Sequence, residues 1–264
     1  MIYFADLDWF PTNDNPFTSN GEYGANWSAF IYDNKIVSFT NVYNEALLYV
    51  LRFSPSADKE HIRLFDFLYY ESIYGRNVII KLSEGISREK ILEEYDEAGR
   101  EIAFRVTDEN YMVHSTPLAN WNSIQNENAL LSPNILKNNG KAVTEIGIKD
   151  LLEPLDYSDY VMLGELEGCS ENVVNSRQKG YVCIEPDSIY TPGVRLYFDT
   201  RKIINDKISV RDGLHLLKVK DRLPLKPYLV KAITTDNFIK DIVWTPSLFT
   251  KMANELFFNH LSSL

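Results

Sequence analysis

The second half of this chain is broken into short apolar runs rich in β-branched and aromatic residues: DYVMLG (159–164), VRLYFD (194–199), HLLKV (215–219) and YLVKAIT (228–234). Runs of this length and make-up are strands rather than helices. Between them, SENVVNSRQKG (170–180) reads as a helix with both ends marked. Ser170 is its N-cap, Glu171 lies in its first turn and Gly180 is its C′ residue. A further strand, YMVHST (111–116), runs into Pro117, which suits a helix start, and LANWNSIQNEN (118–128) then places Leu118, Trp121 and Ile124 at three-residue intervals. Few helices among many short strands point to an α+β fold.

The first half is mixed α and β. A short strand at most precedes residues 11–28, whose Asn, Pro, Gly and Ser content marks a long loop. Apolar spacing predicts helices over 44–51 and 59–74, and NVIIKL (77–82) reads as a strand. Residues 87–102 form a charged helical pattern with Ser87 as N-cap. Length and this change of character suggest two domains, an acidic one over 1–108 and a second over 109–264.

Charge narrows the partners. The formal net charge is −10, of which −8 falls in residues 1–108, which argues against a general nucleic-acid or anionic-membrane binder. Residues 195–231 run the other way, at +6, and could hold phosphates, although such a run is as often a solvated face. The two cysteines, Cys169 and Cys183, give no disulfide framework, and the N-terminal MIYFADLDWF carries no secretory or membrane signature. These features predict a soluble, cytoplasmic protein. Four scattered histidines argue against a metal site, and the glycine-rich, zinc-protease and nucleophile-elbow motifs are absent.

What remains is a strand ending in His-Ser-Thr, an amphipathic helix, a capped helix bearing Arg177, and Arg211 beside a strand. HSTPLANWNSIQNENALLSPN resembles the H-G-T…W-x-S-I…G-L segment of the RNA 2′-phosphotransferase family, within the ADP-ribosyltransferase superfamily. SENVVNSRQKG resembles that family's helix ending in an Arg-bearing turn, and the stretch from VRLYFD to LPLKPYL resembles its later strands. The likeness spans roughly residues 111–231.

The resemblance implies an ADP-ribosyltransferase-like split β-sheet domain over 109–264 that uses NAD+. His114 falls on the family's histidine at the NAD+ ribose, Ser115 stands where the family has Gly, and Thr116 keeps the hydroxyl that helps hold the cofactor. Arg177 and Arg211 fall on two arginines that grip the substrate phosphate and the cofactor pyrophosphate, work that suits the guanidinium fork. ALLYVLRFSP (46–55) is similar to a further family motif and places Arg52 in it, with Phe53 where a histidine belongs. Other superfamily branches use a late-strand Glu. Here the only Glu after Glu185 is Glu255, and Asp212, Asp221 and Asp236 sit in no motif.

Trp121, Tyr190 and Tyr197 could stack on a base, though core packing is the commoner role. The expected activity is transfer to a phosphorylated or hydroxyl-bearing nucleic-acid acceptor with release of nicotinamide. Protein ADP-ribosylation, NAD+ hydrolysis and a non-catalytic module that binds a nucleotide or partner protein stand as alternatives.

Overall fold

The computed structural model describes the chain except residues 36–39, 44–47, 99–100, 102–104, 106–108, 147–152, 168–169, 240–241 and 264. It is mixed α and β, with several small sheets, and divides into two compact units. The first holds Met1–Arg105, Leu152–Pro154 and Val210–Leu216, and the second holds Val106–Leu151, Leu155–Ser209 and Leu217–Leu264.

The first unit is built on a five-stranded sheet of β1 (Ile2–Phe4), β2 (Trp27–Tyr32), β3 (Thr40–Tyr43), β4 (Tyr49–Phe53) and β5 (Asn77–Lys81) in the order β1-β5-β2-β4-β3. All pairings are parallel except β3 with β4. A parallel strand buried on both faces reads as an unbroken apolar run. Accordingly Phe30, Leu51 and Ile80 join the core under α1 (Ile62–Ile73) and α2 (Arg88–Ala98), while Ala29, Val50 and Ile79 face Trp9 and Tyr23 of the N-terminal loop.

This overturns the helix expected over 44–51. Residues 44–47 lie outside the described residues, and Tyr49–Phe53 is a strand registered on β2. An apolar run buried on both sides has no period by which to tell strand from helix. The expected helix over 59–74 forms from Ile62, because the Asp58 carboxylate takes the amide protons of Arg63 (2.9 Å) and Leu64 (3.1 Å). Ser87 caps α2 as expected, its Oγ accepting from the Lys90 amide (3.2 Å). The last residues of that expected helix lie partly outside the described ones.

In the second unit, β6 (Tyr111–Thr116) and β13 (Leu229–Ile233) flank β9 (Val194–Asp199), all antiparallel. A second sheet pairs β8 (Tyr160–Leu163) with β11 (Leu217–Lys220), and its two-residue edge strand β10 (Ser209–Val210) is where the chain passes from the second unit into the first. A third pairs β7 (Ala129–Leu131) with β12 (Arg222–Pro224). Val113 and Gly164 exchange both main-chain hydrogen bonds at 2.8 Å, which joins β6 to the strand end of β8.

Among the described residues the helices of six or more residues are α3 (Trp121–Glu127), α4 (Pro133–Asn138), α5 (Ser170–Lys179), α6 (Thr200–Asn205) and α7 (Pro246–Leu261). α7 has no counterpart among the expected elements, although the Thr245 side chain caps it and Pro246 opens its first turn. Its inner face, Ala253 and Phe257, packs on Val113, Tyr197 and Ile233, with the rings of Tyr197 and Phe257 stacked at 4.1 Å.

Candidate functional site

Side chains alternate along a strand, and cross-strand partners share a face. Because β6 pairs Ser115 with Arg195 and Val113 with Tyr197, these four point to the side covered by α5 and α7. His114 and Thr116 point to the other face, where the His114 Nδ1 lies 3.0 Å from the Met162 carbonyl of β8. That carbonyl can only accept, so Nδ1 carries the proton and Nε2 keeps its lone pair. Burial pushes the imidazole pKa down to about 4, helped by the nearby Arg177 charge and opposed by the Met162 carbonyl. His114 is therefore a neutral, oriented acceptor at pH 7. Thr116 is buried, and its Oγ1 accepts from Asn120 Nδ2 at 2.9 Å.

Arg177 projects from the last turn of α5. It is half-buried, its pKa is lowered by burial, and its guanidinium has no hydrogen-bond or ion-pair partner among the described residues. An uncompensated guanidinium beside a neutral imidazole suits an anionic ligand that also carries hydroxyls. The charge would take a phosphate, and Nε2 would accept from a sugar hydroxyl.

Ser115 behaves differently from its neighbours. Its hydroxyl donates to the Glu171 carboxylate on the far face, so its side chain does not lie on the face of His114 and Thr116. Glu171 also accepts from Tyr190 OH (2.8 Å) and from Arg195 Nη1 (3.3 Å). Arg195 continues to Tyr197 OH (3.1 Å), the Leu166 carbonyl (2.5 Å) and Asn254 Oδ1 (3.4 Å). Every side chain in this network is buried. Tyr190 and Tyr197 are thus core residues with engaged hydroxyls. Burial raises both phenols, Tyr197 to about 12. Trp121 is half-exposed, and α3 buries no residue. The sequence signal for the network is an arginine inside the apolar run VRLYFD, where only an internal partner could satisfy it.

The other expected site residues lie in the first unit. Arg52, on β4, is ion-paired with Asp33. Arg211 is 1% exposed and donates from Nε to the Leu216 carbonyl (3.1 Å) and from Nη2 to the Arg105 carbonyl (2.6 Å), and its Nη1 has no hydrogen-bond partner among the described residues. Burial, and then repulsion from Arg105, lower its pKa to about 10. His114, Ser115, Thr116 and Arg177 belong to the second unit.

The basic segment 195–231 is less of a surface feature than its composition suggests. Arg195, Arg211 and Lys218 are buried, Lys218 over the rings of Tyr157 and Tyr160 at 3.9 and 4.6 Å, and Arg222 pairs with Glu127. Glu255 is exposed on α7, and Asp212 is bound to His215 Nδ1 at 3.1 Å. Among the described residues no cluster of three or more His, Cys, Asp or Glu is arranged to hold a metal, and no helix is long and apolar enough to cross a membrane. No protein-family profile, curated protein or solved structure matches this chain.

Proposed function

We propose that the second unit binds NAD+ and transfers its ADP-ribosyl group, with release of nicotinamide, to a phosphorylated or hydroxyl-bearing nucleic-acid end. The observation that carries this reading is the Arg177 guanidinium, without a partner among the described residues, beside the neutral His114 imidazole. These groups fit a dinucleotide: Arg177 would bind a phosphate, His114 Nε2 would accept from a ribose hydroxyl, and the Thr116 hydroxyl lies on the same face. NAD+, when bound, supplies an activated glycosidic bond with a neutral leaving group. The protein's part is orientation and charge complementarity, which hold the sugar while the acceptor displaces nicotinamide. Arg52 and Arg211 are given no role in this reading.

The test is nicotinamide release from NAD+ with and without 2′-, 3′- and 5′-phosphorylated oligonucleotides, together with calorimetric binding of NAD+. Arg177→Gln removes a charge-assisted contact of about 1.5–3 kcal/mol, so NAD+ should bind roughly 10- to 100-fold more weakly. Wild-type protein that neither binds nor consumes NAD+ refutes the reading. Equal release with and without every oligonucleotide would make the activity hydrolysis.

A further inference from the structure

The strand end bearing His114 and Thr116 and the helix bearing Arg177 are tied together by one buried carboxylate. Glu171 is 1% exposed in the first turn of α5, and its three side-chain hydrogen bonds among the described residues reach other parts of the second unit. Ser115 on β6, Tyr190 ahead of β9, and Arg195 within β9 each donate to it. Arg195, Tyr197 and Asn254 extend the network to α7, and Asn254 Nδ2 holds the Leu166 carbonyl at 2.9 Å.

Such a network is a poor way to gain stability, because apolar residues of similar volume often do as well or better. It differs from an apolar core in direction: each hydrogen bond fixes distance and angle, whereas hydrophobic contact tolerates sliding. Ser115 is the residue between His114 and Thr116, and planar peptide units carry any shift of Ser115 to both. Glu171 therefore grips the strand end at its midpoint. Six residues further along the same helix, about 9 Å by helical rise, stands Arg177.

We propose that Glu171 is the positioning residue of the candidate site: acting through Ser115, it holds the strand end from which His114 and Thr116 project in fixed relation to the helix that presents Arg177. The inference rests on the site described under Proposed function, but not on its chemistry. Glu171 lies on the opposite face of β6 from His114 and acts through its neighbours.

The experiment uses the full chain carrying Ser115→Ala, Glu171→Gln or, as a control, Phe257→Leu, a core change beside Tyr197 that removes none of the network's hydrogen bonds. The His114 imidazole resonance is titrated by NMR without ligand, and NAD+ binding is measured by calorimetry. In wild type the imidazole should titrate near pH 4. Ser115→Ala and Glu171→Gln should each raise that midpoint by about one pH unit, as the strand end relaxes and more of the half-buried ring meets water. Phe257→Leu should leave it in place. Removing the Glu171 charge would by itself lower the midpoint, so a rise in Glu171→Gln reports geometry rather than charge. NAD+ affinity should fall about tenfold in both network variants.

Should Glu171→Gln fail to fold, Ser115→Ala decides alone, since it removes one hydroxyl and leaves the Arg195–Glu171 pair intact. Folded network variants that keep the wild-type midpoint overturn the proposal, as does an equal shift in Phe257→Leu. If wild type binds no NAD+, only the functional reading falls, because the titration still decides whether Glu171 positions the site.

Discussion

A methyl group added at Gly193 gives the sharpest test of how the strand end is held. An ideal Cβ at this position would lie 1.9 Å from the Thr116 carbonyl oxygen, 2.7 Å from its carbon and 3.1 Å from Pro117 Cα, whereas real Cβ contacts essentially never fall below 3.0 Å. All three obstacles are main chain, so no side-chain rotation relieves them, and the end of β6 must move from Gly193 by about 1 Å. Overpacking costs typically about 1–3 kcal/mol, and a backbone collision belongs at the upper end. For a unit of this size about 3 kcal/mol corresponds to a melting temperature lower by roughly 10 °C. Because the displaced residue is Thr116, the NAD+ binding proposed for this unit should weaken more than in an equally destabilised core variant. Differential scanning calorimetry and isothermal titration of Gly193→Ala supply both numbers. A variant that melts within about 2 °C of wild type and binds NAD+ unchanged would show that Gly193 and the Thr116 carbonyl are not in contact, and would undo the geometry of the site.

Two further outcomes follow from buried charge. The His114 imidazole has its pKa lowered in the folded state from 6.5 to about 4, so as pH falls below about 6.5 the unfolded chain takes up the proton first. Stability is fully present above pH 6.5 and is lost down to about pH 4. Between pH 7 and 5 wild type should lose up to about 2 kcal/mol more than His114→Gln in urea denaturation, and parallel pH profiles would refute it. In the first unit Asp66, 1% exposed, is bound by both Nη groups of Arg105 at 2.5 and 2.6 Å and also feels Arg211 and Arg63. Asp66→Asn leaves those guanidinium groups without their carboxylate and should cost roughly 3 kcal/mol or more, against an expectation of less than 1 kcal/mol for an ordinary exposed pair. Urea denaturation measures the difference.

Much of the second unit was legible from local signals. YMVHST and VRLYFD are strands over the residues expected, and the helix from Ser170 ends before Gly180, whose φ of 76° is the left-handed conformation a C′ glycine supplies. Tyr49–Phe53 is a strand because β2 lies beside it, whereas α7 carries its own local signals, the Thr245 cap, Pro246 in the first turn and Phe249, Ala253 and Phe257 four residues apart. Period and capping are properties of a few consecutive residues, whereas burial depends on what arrives from far along the chain.

The sequence by itself determined which residue types were available for phosphate chemistry, and by alternation that His114 and Thr116 share one face of their strand while Ser115 takes the other. Only the tertiary structure decided what each face meets. It gave Ser115 to Glu171, set Arg177 beside a neutral imidazole with no partner among the described residues, and enclosed Arg211 among main-chain carbonyls of the first unit. Charge on a side chain is written in the sequence. Whether that charge is cancelled, desolvated or left for a ligand depends on groups 50 or more residues away, as for Ser115 and Glu171 at a separation of 56.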